Sequence, residues 1–285
     1  MITKQAYAKI NLCLDVLRRR PDGYHDVKMI MQTVGIFDVL TFEKKEEAGI
    51  TLTVDHAEIP ADGDNLIVKA ARLVLDAYQL KEGVHISLQK NIPIAAGMAG
   101  GSTDAAAVFH GLKELFDLPM SVEEMKQLGV KIGADVPYCI EGGTKLSEGI
   151  GEVLTPLPAP PKAYLVIAKP DINVSTKFVY ENLHANSLTY HPDVDGMIAA
   201  LKEEDLQGIT DRLGNVLETV TVKAYPIIEE IKDLLKEKGA LNALMSGSGP
   251  TVFGIFADEE TAEAAKEAVL KKQLAKQVFV TGFVN

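Results

Sequence analysis

The segment PIAAGMAGGSTDAAA at 93–107 constrains this chain more than any other stretch. Ahead of it, Val84, Ile86 and Leu88 alternate with His85, Ser87 and Gln89, the period of a half-buried strand. Behind it, Ala105, Val108, Phe109, Leu112, Leu115 and Phe116 recur at helical spacing. The order is therefore strand, glycine turn, helix. Gly97, Gly100 and Gly101 allow tight backbone and close ligand approach. The helix start offers unpaired N–H groups and the positive end of a dipole, which together attract phosphate.

By itself such a turn is as readily a tight connection. No G-x-x-x-x-G-K-[ST] and no G-x-G-x-x-G occurs, which excludes the two commonest nucleotide loops. The hydroxyls of Ser102 and Thr103 and the small residues after them favour a phosphate cradle. The loop carries no lysine, so a cation must come from elsewhere, and Lys90 is a candidate.

At 285 residues the chain has room for one large or two ordinary domains. A net charge of −11 argues against a general nucleic-acid binder, which needs a basic surface. No run approaches the ~20 apolar residues of a membrane span, and the N-terminal residues lack a signal-peptide pattern. Cys13 and Cys139 match no metal spacing, and two reduced thiols suit the cytoplasm. None of the six histidines forms a zinc motif.

Residues 2–18 read as a strand, followed by the turn PDGY and by two further strands, VKMIMQTVGI and DVLTFEKK. ITLTVD continues the pattern. Asp64 is placed to cap a helix over 65–79, and another helix fits 121–132. TPLPAPPK at 155–162 breaks regular structure and reads as a surface linker and domain boundary. Beyond it come a strand, helices over 194–223, the amphipathic IIEEIKDLLKEKG, two short strands, a helix at 259–272 and a last strand. That succession describes a two-layer α+β domain.

Four more segments carry chemistry-bearing residues, each with an ordinary alternative. In AYAKINLCLDV, Lys9 and Asn11 share one face of an apolar strand, although a strand lysine is commonly solvated. RRRPDGYHD sets Tyr24 and His25 at a turn that could be only a solvated hairpin tip. In KIGADVPYC, Asp135 stands in an uncharged stretch, where it could simply cap backbone donors. MSGSGPTVF is a second glycine turn, or a plain hairpin connection.

Taken together, AKINLCLDV, PIAAGMAGGSTDAAA and SGSGPTVF, in that order, resemble the three motifs of the GHMP-type small-molecule kinases over nearly the whole chain. The resemblance implies an α+β, two-domain GHMP kinase fold. Its N-terminal ribosomal-protein-S5-like, ATP-binding domain would cover 1–157. Its C-terminal ferredoxin-like α/β sandwich would cover 158–285, with the active site in the cleft between them. It further implies transfer of the ATP γ-phosphoryl to an alcohol, with Mg²⁺ as counter-ion. RPDGYHDVKMIMQTV and GADVP favour the branch whose acceptor is a cytidine diphosphate sugar-alcohol used in isoprenoid precursor synthesis.

By the same resemblance Asp135 is the base and Lys9 its partner, meeting beside the triphosphate. Pro93, Ile94, Ala95, Ala96, Gly97, Met98, Ala99, Gly100, Gly101, Ser102 and Thr103 would hold the phosphates, and Lys90 and Asn65 would approach adenosine. Tyr24 and His25 would recognise cytosine, with Tyr180 or Phe178 closing the base sandwich. Asn11, Thr176, Gly247 and Gly249 would complete the acceptor site. Two departures are noted: GMAGGST stands where GLGGGSS or GLAGGSS is usual, and YAKIN where PAKIN is. The glutamate that holds Mg²⁺ in related kinases has no assigned counterpart, so the metal ligands are unknown. The implied partners are the small-molecule substrate alone, with no nucleic acid, no membrane, a monomeric or weakly dimeric state and a cytoplasmic location. The rivals are a sister kinase for mevalonate, phosphomevalonate, homoserine or a sugar, and a silent nucleotide sensor of the same fold.

Overall fold

The computed structural model describes all 285 residues. The chain begins with two long strands, β1 (Ile2–Arg19) and β2 (His25–Lys45), then β3 (Ile50–Val54), α1 (Leu66–Ala77) and β4 (Gly83–Gln89). The helices α2 (Gly100–Phe116), α3 (Val122–Gly129) and α4 (Val136–Glu141) follow, with β5 (Thr144–Glu148), β6 (Val153–Pro156) and β7 (Tyr164–Lys169). Next are α5 (Thr176–Asn182), α6 (Val194–Lys202), α7 (Leu206–Asp211), β8 (Gly214–Asn215) and α8 (Glu218–Ala224). The chain closes with α9 (Ile227–Glu237), β9 (Asn242–Met245), β10 (Val252–Phe256), α10 (Glu259–Lys271) and β11 (Gln277–Gly282).

Four expectations are corrected. The two strands anticipated over 27–45 are one, because Gly35 and Asp38 are accommodated within a continuous β2. The cap of α1 is Asn65, not Asp64: the Asn65 side chain accepts the Ile67 N–H, while Asp64 points into solvent. The helix expected over 121–132 stops at Gly129, and a separate short helix begins at Val136. The proline-rich string enters regular structure at its start, since Thr155 and Pro156 end the edge strand β6.

Packing divides the chain into two compact units, and β1 and β2 contribute residues to both. The first unit holds Met1–Ala8, Ile36–Ile92 and Ala99–Gly142. In it β4 runs antiparallel to the far half of β2, from Val39 opposite Gln89 to Lys45 opposite Gly83, and β3 runs parallel to β4. Leu40, Phe42, Val84 and Ile86 from the strands meet Ile67, Ala70 and Val74 of α1 and Ala105, Val108, Phe109 and Leu112 of α2 in one core. Each fully buried large side chain there contributes about 1.5–3 kcal/mol. Gly111 is needed for this closeness, since a Cβ would lie 2.5 Å from the Phe42 ring.

The second unit holds Lys9–Gly35, Pro93–Met98 and Gly143–Asn285. Here β8 pairs parallel with β1 at Cys13 and Leu14, β5 pairs antiparallel with β2, and β6 pairs with β5. A separate four-stranded antiparallel sheet has the order β11-β7-β10-β9. It is covered by α9, which buries Ile228, Ile231, Leu234 and Leu235, and by α10, which buries Ala262, Ala265 and Val269. The family-independent reason is the helical spacing of those apolar positions, with charged residues on the other face.

Candidate active site

Within the second unit, Lys9 sits on β1 with 5% of its surface exposed, on a strand whose buried Ile10, Leu12, Leu14 and Val16 are apolar. Its ammonium donates to Asn11 Oδ1 at 2.8 Å, and the Asn11 amide nitrogen donates to Met29 Sδ at 3.3 Å. The strand lysine is thus buried and hydrogen-bonded, not solvated, as the cost of burying an unpaired ammonium requires. Asn11 is fully buried with both ends of its amide engaged.

The Lys9 N–H donates to Met98 O at 3.2 Å, which fixes the glycine loop against β1. Gly97, at φ +68°, lies against the second glycine turn: Ser246 Oγ donates to Gly97 O at 3.0 Å, and a Cβ on Gly97 would be 2.2 Å from Ser246 O. No other residue fits that approach. The turn at 246–250 is itself held from two sides. Asn215 Nδ2 donates to Met245 O at 2.9 Å and Gly247 O at 2.8 Å, and Thr221 Oγ1 donates to Ser248 O. Thr176 Oγ1 and Ser248 Oγ share a hydrogen bond at 2.9 Å, which joins the start of α5 to the same turn. The glycine turn of MSGSGPTVF, with Gly247 and Gly249 at positive φ, is therefore a built partner of the first loop.

Tyr24 is exposed at the β1–β2 turn, with its N–H on Asp22. His25 is buried, and its Nε2 has no hydrogen-bond partner. Its ring packs on Tyr180 of α5, with centroids 5.1 Å apart and planes at 41°, whereas Phe178 is exposed. Burial, aided by the positive charge of Arg19, lowers the His25 pKa and favours the neutral imidazole. A neutral ring with an unsatisfied buried nitrogen is a ready partner for a polar heterocycle.

In the first unit, α2 starts at Gly100 behind Ala99 in the left-handed region at φ +58°, with no side-chain cap and no acidic residue in its first turn. Those donors are open to an anion. The Thr103 hydroxyl is not among the phosphate-facing groups the sequence suggested: it is buried and donates to Tyr7 O at 2.7 Å. Lys90 is not the available cation either. Its buried ammonium is shared between Asp38 and Asp104 Oδ2, the latter at 2.9 Å. The Asn65 side chain is spent on the α1 cap and on Pro60 O. Asp135 occupies the N-cap position of α4 with helical dihedrals, and its side chain makes no helix-capping bond.

Cys13 is fully buried and donates to Arg212 O at 3.2 Å; burial, reinforced by Asp193, pushes its thiol up to about 12. No three His, Cys, Asp or Glu side chains converge on a position that could hold a metal, and no helix is long and apolar enough to cross a membrane. Sequence reasoning missed Asn215, Ser246, Asp38 and Asp104. Only their place as polar residues within apolar runs could have signalled them.

Two family models match the chain, "GHMP kinases N terminal domain" over 65–143 and "GHMP kinases C terminal" over 197–276. The 4-diphosphocytidyl-2-C-methyl-D-erythritol kinase of Lachnoclostridium phytofermentans is 51% identical over 283 residues, covering 99% of this chain and 97% of its own. That of Clostridium perfringens strain SM101 is 48% identical over 281 residues, covering 99% and 98%. A crystal structure of 4-(cytidine 5'-diphospho)-2C-methyl-D-erythritol kinase superposes with a TM-score of 0.84 at 30% identity over the full length of both chains. Homoserine kinase from Cytophaga hutchinsonii superposes at 0.75 with 20% identity, covering 97% of this chain and 93% of its own, and shows the shared fold.

Proposed function

The chain belongs to the GHMP kinases, and on that premise we propose that it phosphorylates the 2-hydroxyl of 4-diphosphocytidyl-2-C-methyl-D-erythritol with ATP, in isoprenoid precursor synthesis. It is an ATP-dependent small-molecule kinase of the α+β GHMP fold. The observation that carries the choice of acceptor is the buried, unpartnered Nε2 of His25 beside the Tyr180 ring. Mevalonate and homoserine, as acceptors, carry no nucleobase to place there.

Phosphoryl transfer asks a protein chiefly for positioning and charge stabilisation. In our reading, the backbone N–H groups of 93–103 hold the triphosphate, with Ser102 rather than Thr103 supplying a hydroxyl. The acceptor oxygen bonds to the γ-phosphorus as the bond to the β,γ-bridging oxygen breaks and ADP leaves. Asp135 takes the hydroxyl proton. Lys9, oriented by Asn11, balances charge on the transferring group. His25, Tyr180 and Tyr24 hold the cytosine, and Thr176, Gly247 and Gly249 line the acceptor side. Mg²⁺ would arrive on the ATP phosphates; the side chains supply no complete ligand set of their own, and no step is assigned to it. The family-domain boundary at 157/158, a monomeric or weakly dimeric state and a cytoplasmic location belong to the same proposal.

The test is a coupled ATPase assay of the purified protein with the cytidyl substrate, mevalonate and homoserine. Turnover with the cytidyl substrate alone, inhibited by CDP and CMP, is the expected result. Equal or greater turnover with mevalonate or homoserine overturns the proposal.

A further inference from the structure

Both ends of the first glycine loop are tied to one buried ion cluster. Asp38 of β2 is fully buried; its Oδ1 accepts the N–H groups of Asn91 at 2.6 Å and Ile92 at 2.8 Å, where the chain enters the loop. Its Oδ2 accepts from the Lys90 ammonium, which also donates to Asp104 on the first turns of α2, where the chain leaves the loop. Gly100 is the residue that lets the lysine in, because a Cβ there would stand 2.9 Å from Lys90 Nζ.

Two carboxylates against one ammonium leave a net charge of −1 if all three ionise. Asp104 is four residues past Gly100, about 6 Å along the helix from its start. The positive end of the helix dipole favours a negative charge there, but that charge cancels the dipole's pull on a bound polyphosphate and repels the polyphosphate directly. The second oxygen of Asp104 is buried with no partner, so nothing further compensates an ionised carboxylate. The neighbouring groups are Lys90 at the β4 exit, Asp38 on β2, Asp55 past the end of β3, whose carboxylate takes the Lys90 N–H, and apolar Leu66 beside Gly101 from α1.

We infer that Asp38, Lys90 and Asp104 form a clamp that sets the span of the phosphate loop, and that Asp104 keeps its proton in the ATP-binding form. Loss of that proton would then weaken ATP binding on the alkaline side. Burial agrees, pushing Asp104 up to about 8, with Lys90 opposing the rise and Asp38 adding to it. These are positioning residues, and the inference rests on the reading of 93–103 as the ATP site.

The experiment measures the ATP dissociation constant by calorimetry between pH 6.5 and 9 for the wild type and for Asp104→Asn, a neutral mimic of the protonated group. The expected wild-type affinity falls roughly tenfold more than that of the variant across this range. The variant matches the wild type at pH 6.5. Parallel pH profiles overturn the inference and leave the ATP site standing, whereas absence of ATP binding at every pH overturns both. Should the variant fail to fold, the ¹³Cγ shift of Asp104 in the wild type decides: an ionised carboxylate at pH 6.5 overturns the inference, and a protonated one upholds it.

Discussion

His25 and Tyr180, 155 positions apart in sequence, pack as a tilted ring pair with centroids 5.1 Å apart and planes inclined at 41°. The relationship distinguishes Tyr180 from Phe178, which lies two residues away on α5 and is 40% exposed. Base–aromatic stacking contributes about 1–3 kcal/mol. Tyr180→Leu is therefore expected to raise KM for the cytidyl substrate roughly 5- to 150-fold, with little change in KM for ATP, and Phe178→Leu to change neither. Steady-state kinetics with each substrate varied in turn would refute the assignment if the two variants behaved alike.

The same histidine links stability to acidity. In the unfolded chain it protonates near 6.5, while burial in the folded chain lowers that value. As pH falls through 6.5 toward the folded value, the unfolded state binds more protons, and the contribution of His25, complete above 6.5, is lost. His25→Gln is expected to lose less stability than the wild type between pH 7 and pH 5. Urea melts at the two pH values that fall in parallel would contradict this.

Asp135→Asn keeps the size of the side chain and removes its basicity. The expectation is a kcat about 10²- to 10⁴-fold lower with near-normal binding of both nucleotides. Wild-type turnover would end its candidacy as the base. Asn11→Ala takes an acceptor from the buried Lys9 ammonium, a loss of about 1–3 kcal/mol, and should depress kcat more than it raises either KM.

Gly97→Ala forces a side chain into a left-handed residue whose Cβ would come 2.2 Å from Ser246 O. Stability should fall by about 2 kcal/mol or more, with loss of ATP binding. A variant that melts with the wild type and binds ATP normally would mean that the two glycine turns are not held together in solution.

The strand before the glycine loop and the helix behind it were legible because each rests on a local periodic pattern. The partners of Lys90 were not. Asp38 lies 52 residues before it and Asp104 14 residues after it, so a lysine that looks available in sequence is consumed in space. Asp64 and Asn65 are both of a type that caps helices, and the bond from the Ile67 N–H to the Asn65 side chain decides between them. Tyr180 and Phe178 both stand near the start of α5, and packing against His25 separates them. Asn215 was missed because its role, holding the carbonyls of Met245 and Gly247, is visible only once β8 and the second glycine turn are adjacent.

The suppressed acidity and full burial of Cys13 leave Cys139, partly exposed on α4, as the thiol that an electrophile meets. A maleimide fluorophore would load there on the unmodified sequence, four positions beyond Asp135, and on the proposed reading of that carboxylate would convert ligand arrival into an emission change.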